Sequence, residues 1–213
     1  MERSTGSASN EVFKNQERRY QFCGYELKIT QDLKHLSIPA VIWEAGIVLC
    51  RYFEKKRMNF TGKKMIELGS GTGLVGILAI LLGGEVTLTD RPNVLNQIVY
   101  NITSNIPAEI MARTKVSALL WSKPYDQNAS KYDYILGSDI VYDPREFQSL
   151  IKTLLYLSNP NTVIYFSSKI VEIPGASEFY EKLLPKHFNS EIVHTLPHKR
   201  INVYKITRKI SSD

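Results

Sequence analysis

The segment MIELGSGTGLVG, residues 65–76, combines the end of an apolar strand with a glycine-rich turn and the start of an apolar helix. Gly71, Gly73 and Gly76 form a G-x-G-x-x-G pattern, which in a strand–turn–helix unit is typical of nucleotide-like ligands. Glycines in such a turn permit positive φ angles and let the backbone approach the ligand closely. The segment therefore predicts an open α/β sheet with a ligand site at the carboxyl edge of its strands.

Short apolar runs alternate with helical patterns over the rest of the chain. Strands are predicted at KKMIELG, EVTLTD, KVSALLW, YDYILGSDIVY, NTVIYFSSK, EIVHTL and INVYKITR. Helices are predicted at TGLVGILAILLG, NVLNQIVYNITSN, REFQSLIKTLLYL and GASEFYEKLLPKHF. Repeated βα alternation indicates a parallel sheet with helices on both faces. Only residues 197–200 separate the last two strands, so these two should pair antiparallel.

Two further elements precede the glycine-rich turn. YQFCGYELKIT predicts a β-hairpin, and AVIWEAGIVLCRYFEKK predicts a helix that begins near Pro39. The prediction is a single α/β domain over residues 19–213, after a flexible tail at residues 1–18. Its Rossmann-like sheet should have seven strands, mostly parallel with an antiparallel final strand, and carry the hairpin as an N-terminal extension.

Composition excludes several classes of protein. The chain of 213 residues carries a net charge of +6, with basic residues scattered rather than interleaved with aromatic ones, so direct nucleic-acid binding is not expected. Its two cysteines form no C-x-x-C and its four histidines show no ligand spacing, so we expect no metal site. The N-terminus is polar and no apolar run is long enough to cross a membrane. We expect a monomeric, cytoplasmic protein.

Two acidic residues distinguish between ligands of the glycine turn. Asp90 ends the strand EVTLTD, 19 residues beyond Gly71, where a carboxylate can accept hydrogen bonds from both hydroxyls of a ribose. Glu67 lies just before the turn, where its charge opposes a pyrophosphate but suits the amino group of a methionine. The residues favour S-adenosylmethionine (SAM) over a nicotinamide dinucleotide. The dinucleotide, and a fold that has lost its catalysis, remain alternatives.

Two more strand ends carry candidate residues. Trp121, in LLWSKP, is predicted at the end of the third strand, where its ring can stack on adenine or simply close the edge of the core. In GSDIVYDP, the small Gly137 and Ser138 allow the backbone to approach the adenosine closely. Asp139 and Tyr142 come next in the sequence and are expected to point toward the reactive methyl group of SAM. An aspartate after a strand is also common as a cap or turn residue, so that alternative stays open.

With these residues in place, the chain resembles the seven-β-strand, class I SAM-dependent methyltransferases, and within them methyltransferase family 16 of protein-lysine methyltransferases. The resemblance covers residues 22–209 and is carried by VIWEA, IELGSGTGLVG, VTLTD, LLW and GSDIVY. It implies a D-x-x-Y motif at a lysine channel, formed by Asp139 and Tyr142. It also implies SAM contacts from positions that match the family's cofactor-binding residues: Trp43, Gly69, Ser70, Gly71, Asp90, Trp121 and Ser138.

The resemblance further implies a protein substrate. Members of this group modify translation elongation factor 1-alpha, Hsp70-type chaperones and a p97-type AAA ATPase, and elongation factor 1-alpha is our first expectation. We expect Asp139 to hold the substrate amine and the Tyr142 ring to wall its channel. An RNA or small-molecule methyltransferase is the nearest alternative, although the D/N-P-P-Y motif of DNA amino-methyltransferases is absent. A non-enzymatic binding module is the second.

Overall fold

The computed structural model describes residues 17–31, 42–122, 132–170 and 175–209. A seven-stranded sheet has the order β5-β4-β3-β6-β7-β9-β8, and the N-terminal hairpin forms a separate two-stranded sheet. Strand β9 is antiparallel to both of its neighbours, whereas β3 to β7 pair parallel. The predicted sheet is therefore confirmed. Its strands are β3 (Lys64–Leu68), β4 (Glu85–Asp90), β5 (Thr114–Ala118), β6 (Tyr134–Ser138), β7 (Val163–Lys169), β8 (Phe188–Leu196) and β9 (Ile201–Arg208).

Helices cover both faces of the sheet, as predicted. One core cluster packs α1, α2 and α3 on one face, and a second packs α4 and the helical turns of residues 176–186 on the other. The strands between them are apolar on both sides because both faces are buried. Within the described residues, the α-helices longer than one turn are α1 (Glu44–Lys55), α2 (Leu74–Leu81), α3 (Leu95–Asn105) and α4 (Phe147–Leu157).

The predicted hairpin is present as β1 (Glu17–Phe22) and β2 (Tyr25–Thr30). Its two-residue turn places Cys23 at φ 54° and Gly24 at φ 83°, and two positive φ angles match the right-handed twist of the paired strands. Strand β1 begins two residues earlier than the expected domain boundary at residue 19, since Glu17 pairs with Thr30. The remainder of the expected tail, and Pro39, lie outside the described residues.

One predicted helix is wrong in type. Residues 175–188 form a single α turn (Ala176–Glu178), a π-helical turn (Phe179–Leu183) and a 3-10 turn (Leu184–Lys186) instead of a continuous α-helix. Pro185 has no N–H to donate and its ring clashes with the preceding turn of an α-helix. The segment therefore changes its hydrogen-bonding pattern as it approaches the proline.

The hairpin is fastened to the sheet by α3. Asn101 is 0% exposed. Its Oδ1 accepts the N–H of Thr30 at 2.9 Å, and its Nδ2 donates to the carbonyls of Thr30 at 3.0 Å and Thr72 at 2.8 Å. One side chain thus joins the hairpin, α3 and the glycine-rich turn.

Asn101→Ala is expected to lower the free energy of unfolding by about 2–4 kcal/mol, because buried backbone groups of Thr30 and Thr72 lose their hydrogen-bond partner. Asn105→Ala serves as the control. Asn105 makes the same type of contact to both backbone groups of Lys28, but at an exposed position, so its loss should cost less than about 1 kcal/mol. Urea unfolding measures the free energy of unfolding of both variants. Equal losses in the two variants would show that Asn101 does not join the hairpin to α3 in the way described.

Candidate active site

The ten residues singled out from the sequence surround two cavities at the carboxyl edge of the parallel strands. The larger cavity has a volume of about 240 Å³ and the smaller about 30 Å³. They share Trp43, Gly69, Gly71 and Ser138, so they form one continuous site. The larger cavity adds Asp90, Trp121, Asp139 and Tyr142, and the smaller adds Glu67 and Ser70.

The glycine-rich turn between β3 and α2 has the backbone that its sequence predicts. Gly69, Gly71 and Gly73 have φ angles of 61°, 56° and 82°, a region that other residues adopt only at a cost of roughly 1–2 kcal/mol. A Cβ on Gly69 would lie 2.8 Å from Cγ2 of Ile140. The turn therefore needs glycine both for its conformation and for its close packing beside the cavity.

Ser70 fixes this turn to the neighbouring strand. Its N–H donates to the carbonyl of Thr89 at 2.9 Å, and its Oγ accepts the N–H of Thr89 at 3.1 Å. Its carbonyl accepts the N–H of Gly73 at 2.7 Å. Ser70 lines the smaller cavity, yet every one of these contacts holds the turn in place. Its position thus supports the shape of the site, and cofactor contact by its side chain stays a prediction.

Asp90 is held rigidly at the end of β4. Its Oδ2 accepts the N–H of Gly71 at 2.8 Å and its Oδ1 accepts the N–H of Arg91 at 2.7 Å. Burial raises the pKa of this carboxyl above its usual value, although both hydrogen bonds oppose the shift. An ionised carboxylate can accept about four hydrogen bonds. Two acceptor positions therefore remain for the vicinal hydroxyls of a ribose.

Glu67 lies beneath the turn and is 1% exposed. Its Oε2 accepts the N–H of Gly76 at 3.1 Å, and a Cβ on Gly76 would come within 2.6 Å of the same oxygen. Burial raises the pKa of Glu67 to about 8. A cationic amino group in the smaller cavity would favour the ionised form, which is the role that the sequence predicts for this carboxyl.

The pKa of Glu67 predicts how stability depends on pH. Its pKa is about 8 in the folded protein and about 4.5 when the chain is unfolded. Between these values the folded state binds more protons than the unfolded state, so the group makes stability fall as pH rises, by up to about 1.4 kcal/mol per pH unit. Glu67→Gln should remove this fall. Urea unfolding at pH 5, 6.5 and 8 measures it, and identical slopes for wild type and variant would contradict the assignment.

Three aromatic residues line the larger cavity at different depths. Trp43 directly precedes α1 and is 47% exposed, and Tyr142 is likewise 47% exposed. Both therefore lie where the cavity opens to solvent. Trp121 lies in a turn beyond β5, which ends at Ala118 rather than at the predicted tryptophan. It packs against the second core cluster and also lines the cavity, so its position is compatible with both of its predicted roles.

Asp139 is strained and firmly anchored. It has a φ of 51°, which few residues other than glycine, asparagine and aspartate adopt. Its N–H donates to the carbonyl of Ser167 at 2.8 Å, and its Oδ1 accepts the N–H of Lys169 at 2.8 Å. Burial raises the pKa of its carboxyl, while hydrogen bonds from the N–H groups of Lys169 and Ala45 oppose the shift. Because Ala45 belongs to the first turn of α1, the carboxylate also caps that helix.

The structure corrects one expectation about this strand end. A Cβ on Gly137 would lie 2.6 Å from Cδ1 of Ile140 and 2.9 Å from Cε1 of Phe166. The space beside Gly137 is filled by these side chains, so its small size serves core packing and not the approach of a ligand. Sequence reasoning also missed lining residues of the larger cavity: Arg91, Leu119, Leu120, Ser122, Ile140, Asp143 and Glu146.

Some of these missed residues carried a usable signal. Arg91 and Leu119 each follow directly after a parallel strand, β4 and β5, and such positions meet at the ligand edge of a sheet of this kind. Glu146 had no such signal. It lies in a 3-10 turn that precedes α4, and only the packing of that turn brings it to the cavity.

The fold is shared with solved methyltransferases. The glycopeptide N-methyltransferase MtfA, solved with SAM, superimposes with a TM-score of 0.61 at 13% identity, covering 81% of this chain and 98% of that one. The residues of the site are compatible with the same cofactor: Gly69 and Gly71 have the positive φ angles of a glycine-rich turn, and the Asp90 carboxylate lines the larger cavity. This likeness shows that the two proteins share the class I methyltransferase fold.

Sequence relatives define the group more narrowly. A family model described as lysine methyltransferase matches residues 21–185, and the chain belongs to this family. EEF1A lysine methyltransferase 3 of Xenopus tropicalis is 44% identical over 207 residues, covering 97% of this chain and 91% of the relative. Protein N-lysine methyltransferase METTL21A of the same species is 40% identical over 166 residues, covering 78% of this chain and 77% of that protein.

The protein is therefore a SAM-dependent protein-lysine N-methyltransferase that acts on a protein substrate. The family decides for SAM between the two ligands that the glycine pattern left open. Among the residues that the structure describes, no helix combines the length and apolar character needed to span a bilayer. The same residues contain no group of three or more histidine, cysteine or acidic side chains suited to a metal ion.

Proposed function

We propose that this enzyme methylates a lysine of translation elongation factor 1-alpha, acting as a monomer in the cytoplasm. The support is the relative named for that substrate, which matches the chain over 97% of its length at 44% identity. The observation that carries the chemistry is a carboxylate, Asp139, fixed beside two exposed aromatic rings at the opening of the larger cavity. An anchored anion flanked by aromatic rings suits a lysine side chain.

In this proposal the glycine-rich turn and the residues around it would hold the cofactor. Gly69 and Gly71 allow it close approach, Asp90 accepts hydrogen bonds from its ribose, and Glu67 balances the charge of its amino group. Bound SAM supplies a methyl group made electrophilic by positively charged sulfur. The remaining residues would contact other parts of the cofactor. Trp121 would contact the adenine, and Trp43, Ser70 and Ser138 would contact the methionine and sugar portions.

The lysine must reach the site as a neutral amine. A free lysine has a pKa of about 10.4, so it arrives protonated and hydrated. Entry into a channel walled by Tyr142 removes water and disfavours the charged form. Asp139, with backbone carbonyls nearby, orients the nitrogen, and this alignment is the main task of the protein. Aromatic walls also accept methylated ammonium groups, which permits more than one round of transfer.

The substrate assignment is tested by supplying purified, unmethylated elongation factor 1-alpha together with methyl-labelled SAM. We expect label on a single lysine, located by mass spectrometry. An Hsp70-type chaperone and a p97-type AAA ATPase form parallel arms of the assay. Exclusive labelling of either protein would show that it, and not elongation factor 1-alpha, is the substrate. Labelling that disappears after RNase treatment of an extract would point to RNA instead of protein.

A further inference from the structure

The carboxyl end of β7 determines where the Asp139 carboxylate lies. Two of its consecutive peptide units contact Asp139: the Ser167 carbonyl accepts the Asp139 N–H, and the Lys169 N–H donates to Oδ1, each at 2.8 Å. Ser168 lies between these two residues, and its side chain is on the face of the strand opposite to the side chains of Ser167 and Lys169. Any device that fixes Ser168 therefore fixes both contacts of Asp139.

Ser168 is fixed by Tyr180. Their hydroxyls are 2.6 Å apart, and the residues are 2% and 6% exposed. Removing one of two buried hydroxyls that share a hydrogen bond is costly, because the remaining hydroxyl loses its partner and cannot bond to water instead. The Ser168–Tyr180 pair thus ties the end of β7 to the layer formed by residues 176–186.

The Tyr180 ring is itself held in one orientation. It stacks on Tyr204 of β9 with ring centroids 3.9 Å apart and planes 8° from parallel. It also meets Phe179 edge-on at 5.2 Å. Tyr180 belongs to the π-helical turn that replaces the predicted helix, and such turns often occur at functional sites.

The phenol of Tyr180 remains a neutral hydroxyl. Burial raises its pKa far above the usual value, and the nearby charge of Asp139 raises it further. Tyr180 is not among the residues that line either cavity, so any effect on methyl transfer is expected to act through the residues that it contacts.

We propose that Tyr180 is a positioning residue for methyl transfer: through Ser168 it fixes the Lys169 amide that holds the Asp139 carboxylate toward the substrate amine. This inference rests on the proposed role of Asp139. It assigns a function to the irregular segment before β8, which the glycine turn and the D-x-x-Y motif do not explain. The π-helical turn carries the phenol that contacts Ser168 of β7.

A matched control lies on the same strand. Tyr165 of β7 is 6% exposed, like Tyr180, and its hydroxyl is hydrogen-bonded to Tyr52. Tyr165 belongs to the core cluster on the other face of the sheet and lines neither cavity. Tyr165→Phe therefore removes a hydrogen-bonded tyrosine hydroxyl from β7 without disturbing Ser168.

The experiment compares Tyr180→Phe, Ser168→Ala and Tyr165→Phe in the full chain. Hydrogen exchange of the Lys169 amide is followed by NMR after selective ¹⁵N-lysine labelling. Steady-state methyl transfer to elongation factor 1-alpha gives kcat and the KM for SAM. In Tyr180→Phe and Ser168→Ala we expect protection of the Lys169 amide to fall about tenfold and kcat to fall about tenfold or more. The KM for SAM should stay unchanged, and Tyr165→Phe should match wild type in all three quantities.

Each outcome decides the matter. Undiminished Lys169 protection in both Tyr180→Phe and Ser168→Ala overturns the inference, whatever the activity. Lost protection with wild-type kcat overturns it as well, since the fixed carboxylate would then be irrelevant to turnover. If wild type transfers no methyl to elongation factor 1-alpha, the proposed substrate fails, and the amide exchange alone still shows whether Tyr180 positions Asp139. Ser168→Ala guards against a folding defect peculiar to the tyrosine variant.

Discussion

Asp139→Asn is expected to lower kcat for methyl transfer by about a hundredfold or more, while the Kd for SAM changes little. Asparagine tolerates the φ of 51° found at this position and keeps an oxygen that accepts the Lys169 N–H. It removes the negative charge that orients the substrate amine, and it replaces one of the two carboxylate oxygens with an NH2 group, so the Lys169 and Ala45 N–H groups must share the remaining oxygen. Steady-state kinetics with labelled SAM measures kcat, and calorimetry measures cofactor affinity.

Asp133→Asn is the matched control for this variant. Asp133 lies at the opposite end of β6, where its Oδ2 accepts the N–H of Lys64 at 2.8 Å. The control removes the same charge from a backbone-capping aspartate at the edge of the sheet remote from the cavities, and its kcat should equal that of wild type. Near-wild-type turnover of Asp139→Asn would remove this carboxylate from the mechanism.

Gly71→Arg is expected to abolish measurable SAM binding, with Kd weakened by about a hundredfold or more. Gly71 lines both cavities and has a φ of 56°. An arginine there places a long side chain in the shared part of the site and strains the turn by roughly 1–2 kcal/mol. It also disturbs the N–H that holds Asp90. Calorimetric titration with SAM gives the affinity.

Gly62→Arg separates blocking of the site from the general cost of the substitution. Gly62 has a φ of 71°, and a Cβ there would meet nothing within 4 Å. The control carries the same backbone strain and the same added charge before β3, at the far edge of the sheet. It should bind SAM like wild type. Equal SAM affinity in the two arginine variants would show that the glycine-rich turn does not form the cofactor site.

The strand-end residues of the site were predictable because of one geometric property of parallel sheets. Glu67, Asp90 and Asp139 belong to three different βα units, yet all three lie at the end of a strand: Glu67 is the last residue but one of β3, Asp90 ends β4, and Asp139 directly follows β6. Parallel strands bring their carboxyl ends to the same edge, so strand boundaries alone place these carboxyls near one another. Trp121 was placed less well, since β5 ends three residues before it, and a turn carries its ring to the cavity.

Errors arose where packing overrode local preference. Residues 175–188 have an apolar pattern of helical period, but Pro185 and the contacts of Phe179 and Tyr180 with the sheet impose three kinds of turn. Gly137 has the size that a ligand-approach position needs, yet Ile140 folds back over it. Neither contact can be read from neighbours in the chain, because each is made by side chains whose positions depend on the completed fold.

The sequence by itself determined the βα order, the antiparallel final pair and the glycine-rich turn, because periodicity and glycine conformation act over a few residues. Only the tertiary structure decided how those parts are held. Asp139 capping α1 at Ala45, Asn101 joining Thr30 to Thr72, and Tyr180 bonded to Ser168 are contacts between distant segments. Such polar contacts become specific only when packing has removed water from both partners. The sequence around one partner does not indicate which distant residue will pack against it.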